Sequence, residues 1–279
     1  MKTRIIIDST TNIKKELIGQ FGVVPLTVHF GEEEYIDGVT IDHNAFYKKL
    51  ESSNILPTTS QPTPDAFAKA FKAAINDGYQ VVAITVASKL SGTYQSACIA
   101  AEDFGQEVYV VDSESVTIGA GILAEMALEM ANQGKSAAEI AQMLDTEKKK
   151  VKILAVLDTL EYLKKGGRVS KTVAFAGGLL NIKPVAVIEA GEIKVAGKAR
   201  GNKLGNAVML QQISGMGGID YTKPFILGYT GVTDTLLREF VDENKDYFGA
   251  NPMHESFVGS VVGTHAGPGA IAVAFCAKH

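Results

Sequence analysis

Cysteine is scarce in this sequence. Of 279 residues only Cys98 and Cys276 are cysteines, far apart and in no metal-like spacing. No disulfide framework is possible on that count beyond one bridge, and the pair fits a reducing compartment in which both thiols act as small buried hydrophobes. The five histidines form no His-Glu-x-x-His, and there is no Cys-x-x-Cys, so no zinc motif is legible. The phosphate cradle G-x-x-x-x-G-K-[ST] and the nucleophile elbow G-x-S-x-G are both missing. No stretch approaches the roughly 18 apolar residues of a membrane span. Met1 to Asp8 has too few apolar residues in a row for a signal peptide. The basic run Lys148-Lys149-Lys150 is short and the net charge is −4, which disfavours nucleic acid as a partner. These absences lead us to expect a cytoplasmic protein with no metal and no cofactor.

What is present is a chain that is 46% hydrophobic and 21% charged, long enough for one large domain or two ordinary ones. Strands are expected at Arg4–Ile7, Val23–Val28, Val81–Val86 and Val108–Val111, the third as an apolar run typical of a strand covered on both faces. Between them lie helical stretches. Ile13–Gln20 looks helical. Thr63-Pro64-Asp65 supplies a cap, a first-turn proline and an N-terminal acid to the next helix. Tyr94–Glu102 and Gly119–Asn132 follow, and Ser136 to Glu139 is a capping box. Strand alternating with helix argues for a parallel sheet in the first half.

The second half changes character. Ile153–Val156 reads as a strand and Leu157–Lys165 as a helix. Val185–Glu189 and Glu192–Lys198 flank Ala190-Gly191 as a hairpin. Further strands are expected at Phe225–Tyr229, Phe257–Val262 and Ala270–Phe275, with helices near Leu204–Ile213 and Thr233–Asn244. The expected fold is α/β in two domains: residues 1–150, a three-layer α/β/α unit with a parallel sheet, and residues 151–279, an α/β unit with a mixed sheet.

Three strands of the first half empty into hydroxyls: Asp8-Ser9-Thr10, Ser88 to Thr93, and Asp112-Ser113. Ligands of open parallel sheets sit beyond such strand ends, where helix N-termini also offer free N–H groups. Helix capping explains the same residue types. At Ser91 both readings stand, because Gly92 permits close backbone approach to a ligand. Thr59 and Ser60 lie in an extended segment between Pro57 and Pro62, either a polar loop or a ligand contact. Arg168 lies just beyond Gly166-Gly167, and Arg168 and Arg200 are the candidate forks for a carboxylate or phosphate. Between the strand expected at Phe257–Val262 and the one at Ala270, Gly263-Thr-His-Ala-Gly-Pro-Gly269 reads as a tight loop with His265 at its centre. These residues add up to an anion site lined by hydroxyls, Arg and His between two α/β halves, with no nucleophile–base pair.

Five segments in order resemble the DegV family of lipid-binding proteins: Asp8-Ser9-Thr10, Thr59-Ser60-Gln61-Pro62, Leu90-Ser91-Gly92-Thr93-Tyr94, Gly166-Gly167-Arg168-Val169-Ser170 and Gly263 to Gly269. They span nearly the whole chain. The resemblance implies a two-domain α/β protein that buries a long-chain fatty acid at the domain interface. It implies that the protein is not itself an enzyme but the fatty acid-binding subunit of a bacterial fatty acid kinase, presenting the acid to a separate ATP-binding subunit in phospholipid metabolism. Carried onto this sequence, it assigns the carboxylate to Thr59, Ser91, His265 and Arg168, with Ser60, Gly92, Thr93, Thr264 and Arg200 as secondary candidates. Each buried methylene contributes roughly 0.8 kcal/mol, so a long tail can bind tightly. Phe67, Phe71, Ile118, Phe175 and Phe257 could line the tail or be ordinary core. The competing readings are a carrier of a different amphiphilic anion, or a stand-alone hydrolase or phosphotransferase using His265.

Overall fold

The structure is a computed structural model, and it describes residues 2–169, 181–249 and 254–278. The chain opens with strand β1 (Lys2–Asp8), a 3-10 turn at Lys15–Gln20, and three short strands, β2 (Gly22–Val24), β3 (Thr27–Phe30) and β4 (Glu33–Ile36). Helix α1 (His43–Ser52) leads to β5 (Thr58–Ser60), then α2 (Pro64–Asn76), β6 (Tyr79–Thr85), α3 (Thr93–Ala101), β7 (Val108–Asp112), α4 (Thr117–Asn132) and α5 (Ala137–Glu147). The second half runs β8 (Val151–Val156), α6 (Glu161–Lys165), the hairpin β9 (Ile182–Glu189) and β10 (Glu192–Arg200), then α7 (Asn202–Gly215) and β11 (Ile226–Tyr229). It ends with α8 (Thr235–Glu243), α9 (Lys245–Phe248), β12 (His254–Phe257), α10 (Ser260–Ala266) and β13 (Ile271–Cys276).

Among the described residues the strands form three sheets. Strands β2-β1-β6-β7 form a wholly parallel sheet whose carboxyl ends share one edge. Strands β10-β9-β8-β13-β11-β12 form a six-stranded sheet, antiparallel except for the β11–β12 pair. Helices α2 and α3 cover one face of the parallel sheet, with Phe67, Phe71 and Ala97 in that core. Helices α7 and α8 cover the outer face of the six-stranded sheet through Met209, Ile213, Leu237 and Phe240. Between the two sheets lies α4. Its residues from Thr117 to Ala124 are all buried, and its core joins Ile5 and Ile84 of one sheet to Ile153, Ile226 and Ala274 of the other. A helix apolar all round is one that is enclosed all round. The sheets thus separate near residue 150, whereas the core runs through both.

The third sheet, β4-β3-β5, and helix α1 are absent from the sequence expectation. The run Val23–Val28 is two strands rather than one. Pro25, which has no N–H to give a ladder, sits between β2 and β3, and the chain leaves the parallel sheet there. The helix expected from Ile13 is a 3-10 turn starting at Lys15, and the helix expected from Leu157 starts only at Glu161.

The largest correction concerns the last loop. Phe257–Val262 is not a strand: β12 ends at Phe257, and Ser260 to Ala266 is α10. The Asp37 carboxylate accepts from the Ser260 N–H (3.3 Å) and from its hydroxyl, placing negative charge at the start of that helix. Thr264 Oγ1 donates back to the Ser260 carbonyl at 3.0 Å. Val261 packs with Phe46, Tyr47 and Leu50 of α1. Gly267, at φ 71°, ends the helix. Tertiary packing outweighs the strand propensity of the valines here.

Candidate functional site

Strand alternation turns Thr59 inward while Thr58 and Ser60 face solvent, and β5 is held by pairing with β3 at Val28↔Thr59. Helix α10 packs against the same small sheet and carries His265 in its last turn. Thr59 Oγ1 and His265 Nε2 meet at 3.0 Å, across 206 residues of sequence. The other ring nitrogen, Nδ1, is buried and has no partner among the described residues. It lies against Gly166, where a Cβ would come within 2.2 Å of it. Burial, and then the nearby Arg168 charge, push the His265 pKa down to about 4, so the imidazole is neutral at pH 7.

Arg168 is strapped into place: Nε donates to the Leu90 carbonyl at 3.2 Å and Nη1 to the Gly166 carbonyl at 2.6 Å. It therefore ties the end of α6 to the loop that carries Ser91. The Ser91 hydroxyl lies 2.9 Å from Thr93 Oγ1 and accepts from the Thr93 N–H at 3.4 Å. Capping and cavity lining thus coexist at Ser91, because the same side chain borders the cavity described next.

Thr59, Ser91, Arg168 and His265 all border one cavity of about 950 Å³, measured out to its open mouth. The rest of its wall is mainly aliphatic. Its base is the inner face of the six-stranded sheet, and the register explains the hollow. Gly228 pairs with Ala272, Ala272 with Ala155, and Ala155 with Ala186. These four small residues form one row across β11, β13, β8 and β9, and all four line the cavity. Three strand spacings of about 4.8 Å make this trough about 14 Å long. Ile153 and Ile188, one row along, bank it with larger side chains. Across from the sheet the wall comes from Val86, Leu90, Val116 and Thr117 at the ends of the parallel strands, and from Val261 and Val262 of α10.

The secondary candidates fall elsewhere. Ser60 faces outward, 2.9 Å from His29 Nε2. Gly92 is needed for packing: a Cβ there would strike Gln61, whose amide donates to the Gly92 carbonyl (3.2 Å) and to Ser96 Oγ (2.9 Å). Thr93 is fully buried beside Ser91. Thr264 is spent inside α10. Arg200 is exposed at the end of β10 and does not border the cavity. Asp8 organises the first motif, accepting from Thr10 N (2.9 Å), Thr10 Oγ1 (2.5 Å) and Val86 N (2.6 Å). Phe67 and Phe71 belong to the α2 core, Ile118 is core beneath Gly228, and Phe257 packs at a tilt against His43 at the surface. Phe175 and Ser170 lie outside the described residues. The row Gly228–Ala272–Ala155–Ala186 went unrecognised in the sequence, where its only signal is a small residue inside each of four apolar strands.

Among the described residues no group of His, Cys, Asp and Glu could hold a metal, and no helix is long and apolar enough to cross a membrane. What the arrangement offers is donors at one place and aliphatic surface everywhere else. With its proton on Nε2, a neutral imidazole donates to Thr59 Oγ1 and leaves that hydroxyl's own proton available; the Arg168 guanidinium borders the same cavity.

The sequence model described as "Uncharacterised protein, DegV family" matches residues 2–278. The chain belongs to the DegV family. A DegV domain-containing protein of Caldanaerobacter subterraneus subsp. tengcongensis is 36% identical to it over 281 aligned residues, covering 98% of each chain. Among solved structures, a DegV family protein from Thermus thermophilus, described by its fatty acid binding, superposes with a TM-score of 0.89 at 30% identity, covering 99% of this chain and 100% of that one. A stearic acid-binding protein from Eubacterium ventriosum superposes with a TM-score of 0.85 at 28% identity, covering 99% and 98%. The α/β architecture with one parallel and one mixed sheet is that of these DegV structures.

Proposed function

We propose that this protein binds one long-chain fatty acid, with the carboxylate among Thr59, Ser91, Arg168 and His265 and the tail in the trough across the six-stranded sheet. The observation that carries the reading is the row Gly228–Ala272–Ala155–Ala186 opening on the same cavity as the Thr59–His265 pair. A carboxylate withdrawn from water needs donors and a compensating charge, or it is protonated or expelled. Two hydroxyls, a neutral imidazole and one guanidinium meet that need. The trough of about 14 Å, at strand spacings of about 4.8 Å, then takes the bulk of an extended acyl chain. The stearic acid-binding relative supports this ligand class. In this reading the units are residues 1–150 and 151–279, and the acid lies where they meet.

The protein itself performs no chemistry on the acid. It presents the carboxylate to a separate ATP-binding kinase subunit, which transfers the γ-phosphoryl group to a carboxylate oxygen and releases ADP. Thr59 and His265 bring a hydroxyl to an imidazole beside the cavity, but at a pKa of about 4 His265 is too weak a base to activate it at neutral pH.

The test is direct. The purified chain is denatured, its lipid extracted and the extract identified by mass spectrometry. A long-chain fatty acid near one equivalent supports the proposal. Recovery of a different amphiphile, or of no lipid from a protein that also fails to bind added oleate, overturns it. For the kinase step, acyl phosphate should form from ATP only when the chain and a kinase subunit are both present.

A further inference from the structure

A second pocket lies on the far side of the six-stranded sheet, between α7 and α8. Val156 of β8 and Ile271 of β13 form its floor, and Ile271 borders the acyl cavity on its other side. Asn206 of α7 forms one wall. It is 7% exposed, and among the described residues its buried Oδ1 has no hydrogen-bond partner. A buried amide oxygen without a donor is unfavourable, so its presence at a cavity wall points to a donor that arrives from outside.

The opposite wall is acidic. Glu239, Asp242 and Glu243 project from α8 at the spacing that puts residues three and four apart on one face. Two of them have cations: Asp242 pairs with Lys245 at 3.1 Å, and Glu243 lies 3.9 Å from Lys203. Among the described residues Glu239 has no hydrogen bond or ion pair. The pocket therefore combines an aliphatic floor, one unfilled buried acceptor, and three carboxylates against a single lysine, Lys203, so its lining is net negative.

We propose that this pocket is a binding site for a small primary alkylammonium ion. The ammonium donates to Asn206 Oδ1 and is neutralised by Glu239, while its methylenes lie on Val156 and Ile271. An anion would meet three carboxylates, and a neutral apolar ligand would leave the Asn206 oxygen unpaired. Three carboxylates against one lysine on an open wall, facing one buried acceptor, suit a small cation.

The test uses the full-length protein and n-butylammonium at low ionic strength, with n-butanol and butyrate as controls, read by ligand-observed NMR titration. Butylammonium should bind, and neither control should. Glu239→Gln, an exposed change that leaves the core alone, should weaken binding at least tenfold, and Asn206→Ala should do the same. Raising the salt to 0.5 M should weaken it further. Equal binding of butanol and butylammonium, or an affinity unchanged in Glu239→Gln, overturns the proposal. So does much tighter binding of a lysine-containing tripeptide than of butylammonium, which would make the site a docking point for a protein side chain. None of these readouts depends on what the acyl cavity holds.

Discussion

Thr59 Oγ1 lies 3.0 Å from His265 Nε2, and this contact joins the edge strand of the small sheet to the last turn of α10. It decides the hydrogen-bond polarity at the mouth of the cavity. With the imidazole neutral, one ring nitrogen carries a proton and the other does not, and the Thr59 hydroxyl can relay only one of the two directions.

Thr59→Val keeps the side chain's shape and removes the hydroxyl. A hydrogen bond to a charged group contributes about 1.5–3 kcal/mol. The dissociation constant for oleate should therefore rise by about 10- to 100-fold, at about 1.4 kcal/mol per factor of ten. Displacement of a fluorescent fatty acid measures this. An unchanged constant would remove Thr59 from the carboxylate site. Ser91→Ala should act in the same direction.

His265 makes stability depend on pH. Its ordinary value is 6.5 and its folded value about 4, with burial the main cause and the Arg168 charge the second. Between those values the unfolded chain binds the extra proton. The contribution is complete above pH 6.5 and is lost as pH falls toward 4, by up to about 3 kcal/mol in all at about 1.4 kcal/mol per pH unit. His254 is also lowered to about 4 by burial and acts in the same window. Burial raises the pKa of Asp8 and Asp37, which acts with the opposite sign. The useful quantity is the difference between wild type and His265→Gln. Urea midpoints from pH 7.5 to 4.5 should fall less steeply in the variant, and parallel curves would contradict the neutral, buried imidazole.

Two adjacent glycines separate a steric role from a backbone one. At Gly166, a Cβ would come within 2.2 Å of His265 Nδ1 and 3.2 Å of the Tyr162 carbonyl. Gly167 has φ 70°, and among the described residues nothing lies within 4 Å of a Cβ built there. Gly166→Ala should displace His265, costing about 1–3 kcal/mol of stability and weakening oleate binding. Gly167→Ala should cost about 1 kcal/mol through backbone strain and leave affinity unchanged. Thermal melts with parallel oleate titrations distinguish the two; equal losses of affinity would sink the steric account.

Ala155 lies mid-row in the trough, paired with Ala272 on one side and Ala186 on the other. Ala155→Leu should block the tail. Excluding about four methylenes at roughly 0.8 kcal/mol each lowers affinity for long acids by about 3 kcal/mol. The lipid extracted from the variant should shift toward shorter chains. An unchanged chain-length profile would place the tail elsewhere.

The sequence by itself determined the parallel half of the fold. Apolar runs such as Val81–Val86, the Thr63-Pro64-Asp65 helix start and the Ser136–Glu139 capping box are local signals, and each element forms where they place it. Thr59, Ser91, Arg168 and His265 are drawn together by the resemblance to the DegV family; their residue types alone fit helix caps, polar loops or surface cations as well. Only the tertiary structure decided that Ser260–Ala266 is a helix, since its valines favour a strand until Asp37 caps its start and α1 covers Val261. It alone set Arg200 apart from the site and made the trough. An alanine in a strand reads as neutral filler. Whether it deepens a core or hollows a channel depends on the residue opposite it on the next strand, and the register Gly228–Ala272–Ala155–Ala186 joins four strands that no local rule connects.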